Sequence, residues 1–336
     1  MTLVDRPLIL APMAGGPSTV ALAAAVAGAG GFPFLAGAYL TPERLAADIA
    51  SLRAVIGSIP FGVNVFAPSP DDPSRMAQAE AYAVELGPWA ELAGVELGQP
   101  RWEDDHFATK VKLLAHVRPP LVSFSFGWPP ADVVDRLQGE GIEVWVTLND
   151  PDEVEWAHAL GVDGIVAQGW EAGGHRGGPT DTGEVQLGAS ALLAAVLEHT
   201  SLPVIAAGGV ATADDVRSLL GAGATAVASG TAYLRSHEAG TADVHRHALA
   251  TRVGTTVTRA FTGRSARALT TTWIELFGHH APAAYPHVHH VTAPLRAHGK
   301  ATGQPELVHL WAGTGHAAAR VASATEITAA LLEGVK

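Results

Sequence analysis

Eight short apolar runs recur along the first two thirds of the chain, and their spacing leaves few folds open. They are Leu8–Ala11, Pro33–Gly37, Phe61–Phe66, Leu121–Phe126, Glu143–Leu148, Gly164–Ala167, Pro203–Ala206 and Ala224–Ser229. Each is too short for a helix and is built largely from apolar residues, as are strands of a parallel sheet covered on both faces. Between them lie longer stretches with helical patterning: Ser18–Ala29, Thr41–Ile56, Pro73–Leu86 with a further helix near Phe107–His116, Pro130–Gln138, Pro151–Leu160, Leu187–Glu198 and Thr212–Leu220. Thr41-Pro42-Glu43 and Asp150-Pro151-Asp152-Glu153 place a capping side chain before a first-turn proline. Eight such units are the count of a TIM (β/α)8 barrel, whereas an open doubly wound sheet usually needs about five or six strands. No Gly-x-Gly-x-x-Gly opens a helix after the first strand, and Gly28 to Gly31 falls at a helix end, so the usual dinucleotide fingerprint is missing.

The chain has 336 residues, more than the ~250 of a plain barrel. The surplus follows the eighth strand, where regular alternation stops. Residues 237–307 are expected to form a smaller, mainly helical lid domain after a barrel spanning 1–236. The Ala-rich Gly315 to Gly334 within 308–336 is read as a last helix packing back on the barrel. One run, Ser18 to Leu40, holds 23 uncharged residues, long enough for a membrane span. Its central Gly30-Gly31-Phe32-Pro33 divides it, so a buried helix followed by a strand is the expected reading.

A formal net charge of −12, with no Lys/Arg cluster, argues against nucleic acid as a partner. With no cysteine, disulfides, thiolate metal sites and a Cys nucleophile are excluded. No basic, then apolar leader opens the chain, so a cytoplasmic, membrane-free enzyme is expected. The histidines at 279–280 and at 287, 289 and 290 have no accompanying cysteine or H-E-x-x-H pattern, and no metal is expected.

In a barrel the chemistry sits in the loops after the strands. Ala11-Pro12-Met13-Ala14-Gly15-Gly16 follows the first strand, where glycines let a flat ligand approach the backbone. Asn64 places one amide at an otherwise apolar mouth. Ala207-Gly208-Gly209 and Ser229-Gly230-Thr231 follow strands seven and eight, the usual place for a phosphate. Either Gly-containing turn alone is compatible with a simple tight turn; both at these strands point to a phosphate-bearing cofactor. The sixth strand leads into Gln168-Gly169-Trp170-Glu171-Ala172-Gly173-Gly174-His175, then Arg176-Gly177-Gly178. His175, flanked by glycines, is the candidate for proton chemistry near neutrality. Glu171 is either a second acid/base or an anchor for its own loop.

Taken in order, Ala11-Pro12-Met13-Ala14-Gly15, Val63-Asn64-Val65-Phe66, the Gln168-to-His175 segment, Ala207-Gly208-Gly209-Val210, Ser229-Gly230-Thr231 and Trp311-Ala312-Gly313 resemble the nitronate monooxygenases over nearly the whole chain. That resemblance implies FMN as cofactor. It implies that Ala11, Pro12, Met13, Asn64, Gln168 and Gly173 contact the flavin, that Gly208, Gly209, Ser229, Gly230 and Thr231 hold its phosphate, and that His175 is catalytic. The implied partners are an alkyl nitronate such as propionate 3-nitronate and O2, with a homo-oligomer possible and the products a carbonyl compound and nitrite. Two departures bear on the substrate: Ala232-Tyr233-Leu234 stands where relatives carry Arg-Phe, and Thr314 where many have Gln. Two other readings use the same residues: an NAD(P)H-dependent FMN reductase of a quinone or enoyl thioester, and a flavin-free barrel that binds a phosphorylated metabolite.

Overall fold

The computed structural model describes residues 6–335. Eight parallel strands form one sheet: β1 (Leu8–Leu10), β2 (Phe34–Ala36), β3 (Gly62–Phe66), β4 (Leu121–Ser125), β5 (Glu143–Leu148), β6 (Gly164–Gln168), β8 (Val204–Ala207) and β9 (Ala226–Ser229). Their order is β1-β9-β8-β6-β5-β4-β3-β2, and β1 meets the start of β2 where Phe32 N donates to Leu8 O (2.7 Å) and Leu10 N to Phe32 O (3.0 Å). The sheet is thus a TIM barrel, as the eight apolar runs require.

Large side chains on one strand fill the barrel because glycine stands on the next. A Cβ on Gly164 would lie 2.4 Å from the indole of Trp145, and one on Gly62 2.4 Å from the ring of Phe34. With Ile9, Phe32, Leu121 and Ile205, these rings close the interior, so it is a packed core rather than a pore. A larger apolar layer joins the strands to the surrounding helices. Among them, α1 (Val20–Gly28) and α2 (Pro42–Ile56) start at Thr19 and Thr41, whose side chains accept from Leu22 N and Arg44 N. The uncharged run 18–40 is accordingly a nine-residue helix and a strand, and no helix among the described residues is long and apolar enough to cross a membrane.

Three features go beyond the sequence expectations. The region after β9 holds helices α9 (Asp243–Thr251), α10 (Thr272–Phe277) and α11 (His287–Thr302), but also β10 (Thr255–Thr258) and β11 (Ala266–Leu269). These pair antiparallel with each other, and β11 also pairs with β7 (Gly174–His175), so the glycine-rich loop supplies the third strand of the lid sheet. Thr255-Thr256-Val257-Thr258 is a β-branched run, a strand signal that the histidines and prolines around it mask. The helix α3 (Pro73–Leu92) is longer than expected and carries the lid: Tyr82 and Leu86 pack with Phe261, Trp273, Phe277 and Leu295. Lastly, the Ala-rich C-terminal segment is helical only over α12 (Ala324–Leu331), because Thr314–Ala318 forms a 3-10 turn and Ser323 caps the helix anew.

Candidate active site

A cavity of about 510 Å³ opens between the C-terminal ends of the strands and the lid. Eleven of the twelve residues singled out above line it: Ala11, Pro12, Met13, Asn64, Gln168, Gly173, His175, Gly208, Gly209, Gly230 and Thr231. The twelfth, Ser229, is 1% exposed and donates its hydroxyl to Val210 O (2.9 Å), tying together the turns after β8 and β9.

Two parts of the barrel wall offer hydrogen bonds the protein itself does not use. Asn64 lies opposite Ser123 in the β3–β4 ladder. Its Nδ2 donates to Ser123 O (3.2 Å), Ser123 Oγ (2.9 Å) and Ser125 Oγ (3.1 Å). Since a carbonyl can only accept, this fixes the amide orientation and leaves Oδ1 as the free acceptor. Around the turns after β8 and β9, no hydrogen bond within the described residues uses the backbone N–H of Gly208, Gly209 or Gly230. Gly208 and Gly209 have φ of +116° and +73°, a region side chains disfavour, and a Cβ on Gly230 would lie 3.3 Å from that of Ala11. Thr231 Oγ1 accepts from Gly313 N (3.0 Å), which leaves its own proton to give. Backbone donors gathered at bare glycines beside a hydroxyl make a cradle for a phosphate.

The loop after β6 is held rigid from within. Gln168 Oε1 accepts from Gly177 N (2.8 Å) and Asn149 Nδ2 (2.9 Å), while its Nε2 donates to His175 O (3.1 Å). Gln168 is therefore first a brace, with one amide hydrogen left over. Arg176, 2% exposed, donates to the carbonyls of Gly169 and Gln168. Glu171 takes the anchoring role: its Oε2 accepts from Ala189 N (2.9 Å) at the start of α7 (Ala189–His199). Gly173 meets the closing Trp311-Ala312-Gly313 segment so closely that a Cβ would lie 2.4 Å from Gly313 N.

This bracing presents His175 to the cavity from under the lid. Its Nε2 lies 2.9 Å from Thr262 Oγ1, and its ring is 5.2 Å from that of Phe126 and 5.1 Å from that of Trp311. Only its cavity side is accessible, and burial, reinforced by the Arg264 and Arg296 guanidiniums, pushes its pKa down to about 3. At neutral pH it is a neutral imidazole. Thr262 Oγ1 is also 3.3 Å from Arg264 O. When that hydroxyl gives its proton to Arg264 O, Nε2–H donates to it and Nδ1, which has no hydrogen-bond partner among the described residues, offers a lone pair. When the hydroxyl instead donates to Nε2, the ring proton sits on Nδ1. One side chain thus allows His175 to act as acceptor or donor.

Sequence reasoning missed the lid side. Arg264 lies over Phe126 (4.3 Å) and donates to the carbonyls of Arg176 and Gly178, clamping the β10–β11 hairpin onto the loop. Tyr39 stacks on His289 (4.7 Å, 4° between planes) and its hydroxyl meets that of Tyr285 at 3.3 Å; burial pushes its pKa up to about 12, so it stays protonated. Tyr39 N is in turn held by Asp105, which pairs with the buried Lys110 (2.7 Å). Among the described residues no Asp or Glu lines the cavity, although the chain has 33 of them, while Arg296, Lys300, His175, His245, His289 and His309 do. The contacts that join these residues span up to 250 positions in sequence, from Tyr39 to His289, and no local motif marks them. No group of three or more His, Cys, Asp or Glu among the described residues is placed to hold a metal.

A family model described as nitronate monooxygenase matches residues 2–334. A nitronate monooxygenase of Pseudomonas aeruginosa is 37% identical over 99% of this chain and 97% of its own. The crystal structure of nitroalkane oxidase from Streptomyces ansochromogenes superposes with a TM-score of 0.94 at 41% identity, covering 98% of this chain and 96% of that one. FabK from Thermotoga maritima shares the fold, with a TM-score of 0.74 at 24% identity over 98% of this chain and 92% of its own.

Proposed function

The chain belongs to the nitronate monooxygenase family, and on that premise we propose that it oxidises alkyl nitronates with FMN and O2, yielding a carbonyl compound and nitrite. The observation that carries this reading is the cavity's composition: a phosphate cradle and a free amide acceptor on the barrel side, and an acid-free, cationic wall on the lid side. FMN needs the first pair, and an anionic substrate needs the second. Gly208, Gly209, Gly230 and Thr231 would hold the phosphate. Asn64, Gln168 and the Ala11-Pro12-Met13 backbone would meet the ring, with Gly173 leaving it room. Bound there, the flavin supplies the electron-accepting chemistry and the reaction with O2.

The residues of this chain bind and orient. An arriving nitronate already lacks its α-proton, so no strong base is needed. His175 with its proton on Nδ1, Thr262 donating behind it, gives that hydrogen bond to an oxygen of the anion. A neutral nitroalkane calls for the other tautomer, with Nδ1 accepting the α-proton; a histidine this hard to protonate does so slowly. The site therefore favours nitronates over nitroalkanes. Phe126, Trp311 and the lid hairpin exclude water from the reacting face. The test is steady-state: purified holoprotein given ethyl nitronate or propionate 3-nitronate in air should release nitrite and consume oxygen without NADH. A protein holding FMN that does neither contradicts the assignment.

A further inference from the structure

Arg296 is a cation with no carboxylate. It is 7% exposed, lies on α11, lines the cavity and joins no ion pair among the described residues. Its Nε donates to Thr292 Oγ1 (3.0 Å), and one terminal nitrogen, Nη2, donates to His289 O (2.7 Å) and lies 3.2 Å from His289 Nδ1. The other, Nη1, has no hydrogen-bond partner among the described residues. Burying a guanidinium without a counter-charge is costly, and such groups persist where a ligand completes them.

The same contact fixes His289. A guanidinium nitrogen only donates, so Nδ1 of His289 must be the unprotonated nitrogen and the ring proton must sit on Nε2. Stacking on Tyr39 holds the ring in place. The result is two donors left for a ligand, Arg296 Nη1 and His289 Nε2–H, on two residues that are tied to each other and line a cavity with no carboxylate among its described lining residues. One turn beyond, the exposed Lys300 lines the same cavity without an ion pair among the described residues, and its charge draws anions inward.

We propose that Arg296 and His289 form a subsite for a planar anion with two oxygens, a nitronate or a carboxylate, with Lys300 steering it in. A guanidinium edge and an N–H lining one cavity suit such an anion and disfavour a neutral isostere. The proposal rests on the preceding reading for the identity of the natural anion, not for its binding.

Calorimetric titration of the holoprotein with butyrate and with butyramide tests it without turnover. Wild type should bind butyrate at least about tenfold more tightly than the amide, and Arg296→Gln should weaken butyrate roughly ten- to a hundredfold while leaving butyramide as it was. Should Arg296→Gln fail to retain flavin, His289→Phe, which keeps the stacking on Tyr39, should still lower the butyrate preference several-fold. Butyrate should also raise the KM of the nitronate while kcat stays constant. Competition with ethyl nitronate assigns the subsite to the nitronate group; competition only with propionate 3-nitronate assigns it to a carboxylate tail. Equal binding of butyrate and butyramide by wild type, a preference unchanged by either substitution, or no competition with either nitronate overturns the proposal.

Discussion

The two walls of the cavity are made of different material. The barrel wall is backbone: glycines at strand ends, unused N–H groups and one amide fixed by its neighbours. The lid wall is side chain: His175, Thr262, His289, Arg296 and Trp311, gathered from distant parts of the chain. A backbone wall can hold a phosphate and a flat ring whatever the substrate, and it fails only when space is taken away. A side-chain wall sets which anion enters and how it lies, and single atoms change it. Substitutions on the two walls should therefore differ in kind.

The largest effect is expected on the barrel side of the loop. Gly173→Val would drive a side chain into the backbone of Ala312 and Gly313, so the purified protein should contain little or no flavin, read from its visible absorbance. On the lid side, His175→Asn should keep the flavin and lower turnover by about 10²- to 10⁴-fold. If it instead loses flavin with turnover per flavin unchanged, the division between the walls is wrong. Thr262→Val should reduce kcat by roughly tenfold through the lost hydrogen bond to His175, and Thr262→Ser should restore it.

Acid should separate the walls without any substitution. Burial depresses His175 to about 3 and His245 and His290 to about 4, and lowers His289 and His309 well below the usual value. The unfolded chain takes up these protons near pH 6.5, whereas the folded chain resists them, so the unfolded state binds more protons between about 6.5 and 3. Stability should thus rise with pH across that window and fall as pH drops through it. His245, His289 and His290 sit on the lid and His309 lies beside its Phe261, so hydrogen exchange at pH 5 should quicken there before it does in the barrel strands; uniform exchange would remove the contrast. Smallest of all, Glu171→Gln should cost about 1 kcal/mol of stability through the weakened cap on α7, with turnover within about twofold, separating an anchor from an acid.

The same contrast explains what was legible in the sequence. Strand ends with Gly-Gly or an amide announce themselves because each works within a few residues, and Gly208, Gly209, Gly230 and Asn64 lie on the cavity as their spacing indicated. Gln168 was legible as a position, but its brace on Gly177 and Asn149 depends on how the loop closes. Ser229 stood in the right turn, yet its hydroxyl faces Val210. The histidines at 287, 289 and 290 are weighed from sequence only as metal ligands and set aside, because nothing nearby in sequence shows that Tyr39, 250 positions earlier than His289, stacks on one of them. The lid sheet escaped notice because one of its strands is the two-residue end of the glycine-rich loop after β6.

The central claim is that this cavity passes electrons from a nitronate to a flavin and needs no nicotinamide. Anaerobic mixing of the purified holoprotein with ethyl nitronate, followed by visible absorbance, tests it most directly. The account predicts loss of the oxidised-flavin absorbance, its return on admitting air with nitrite released, and no change when NADH replaces the nitronate. A flavin spectrum indifferent to nitronate and bleached by NADH would contradict it.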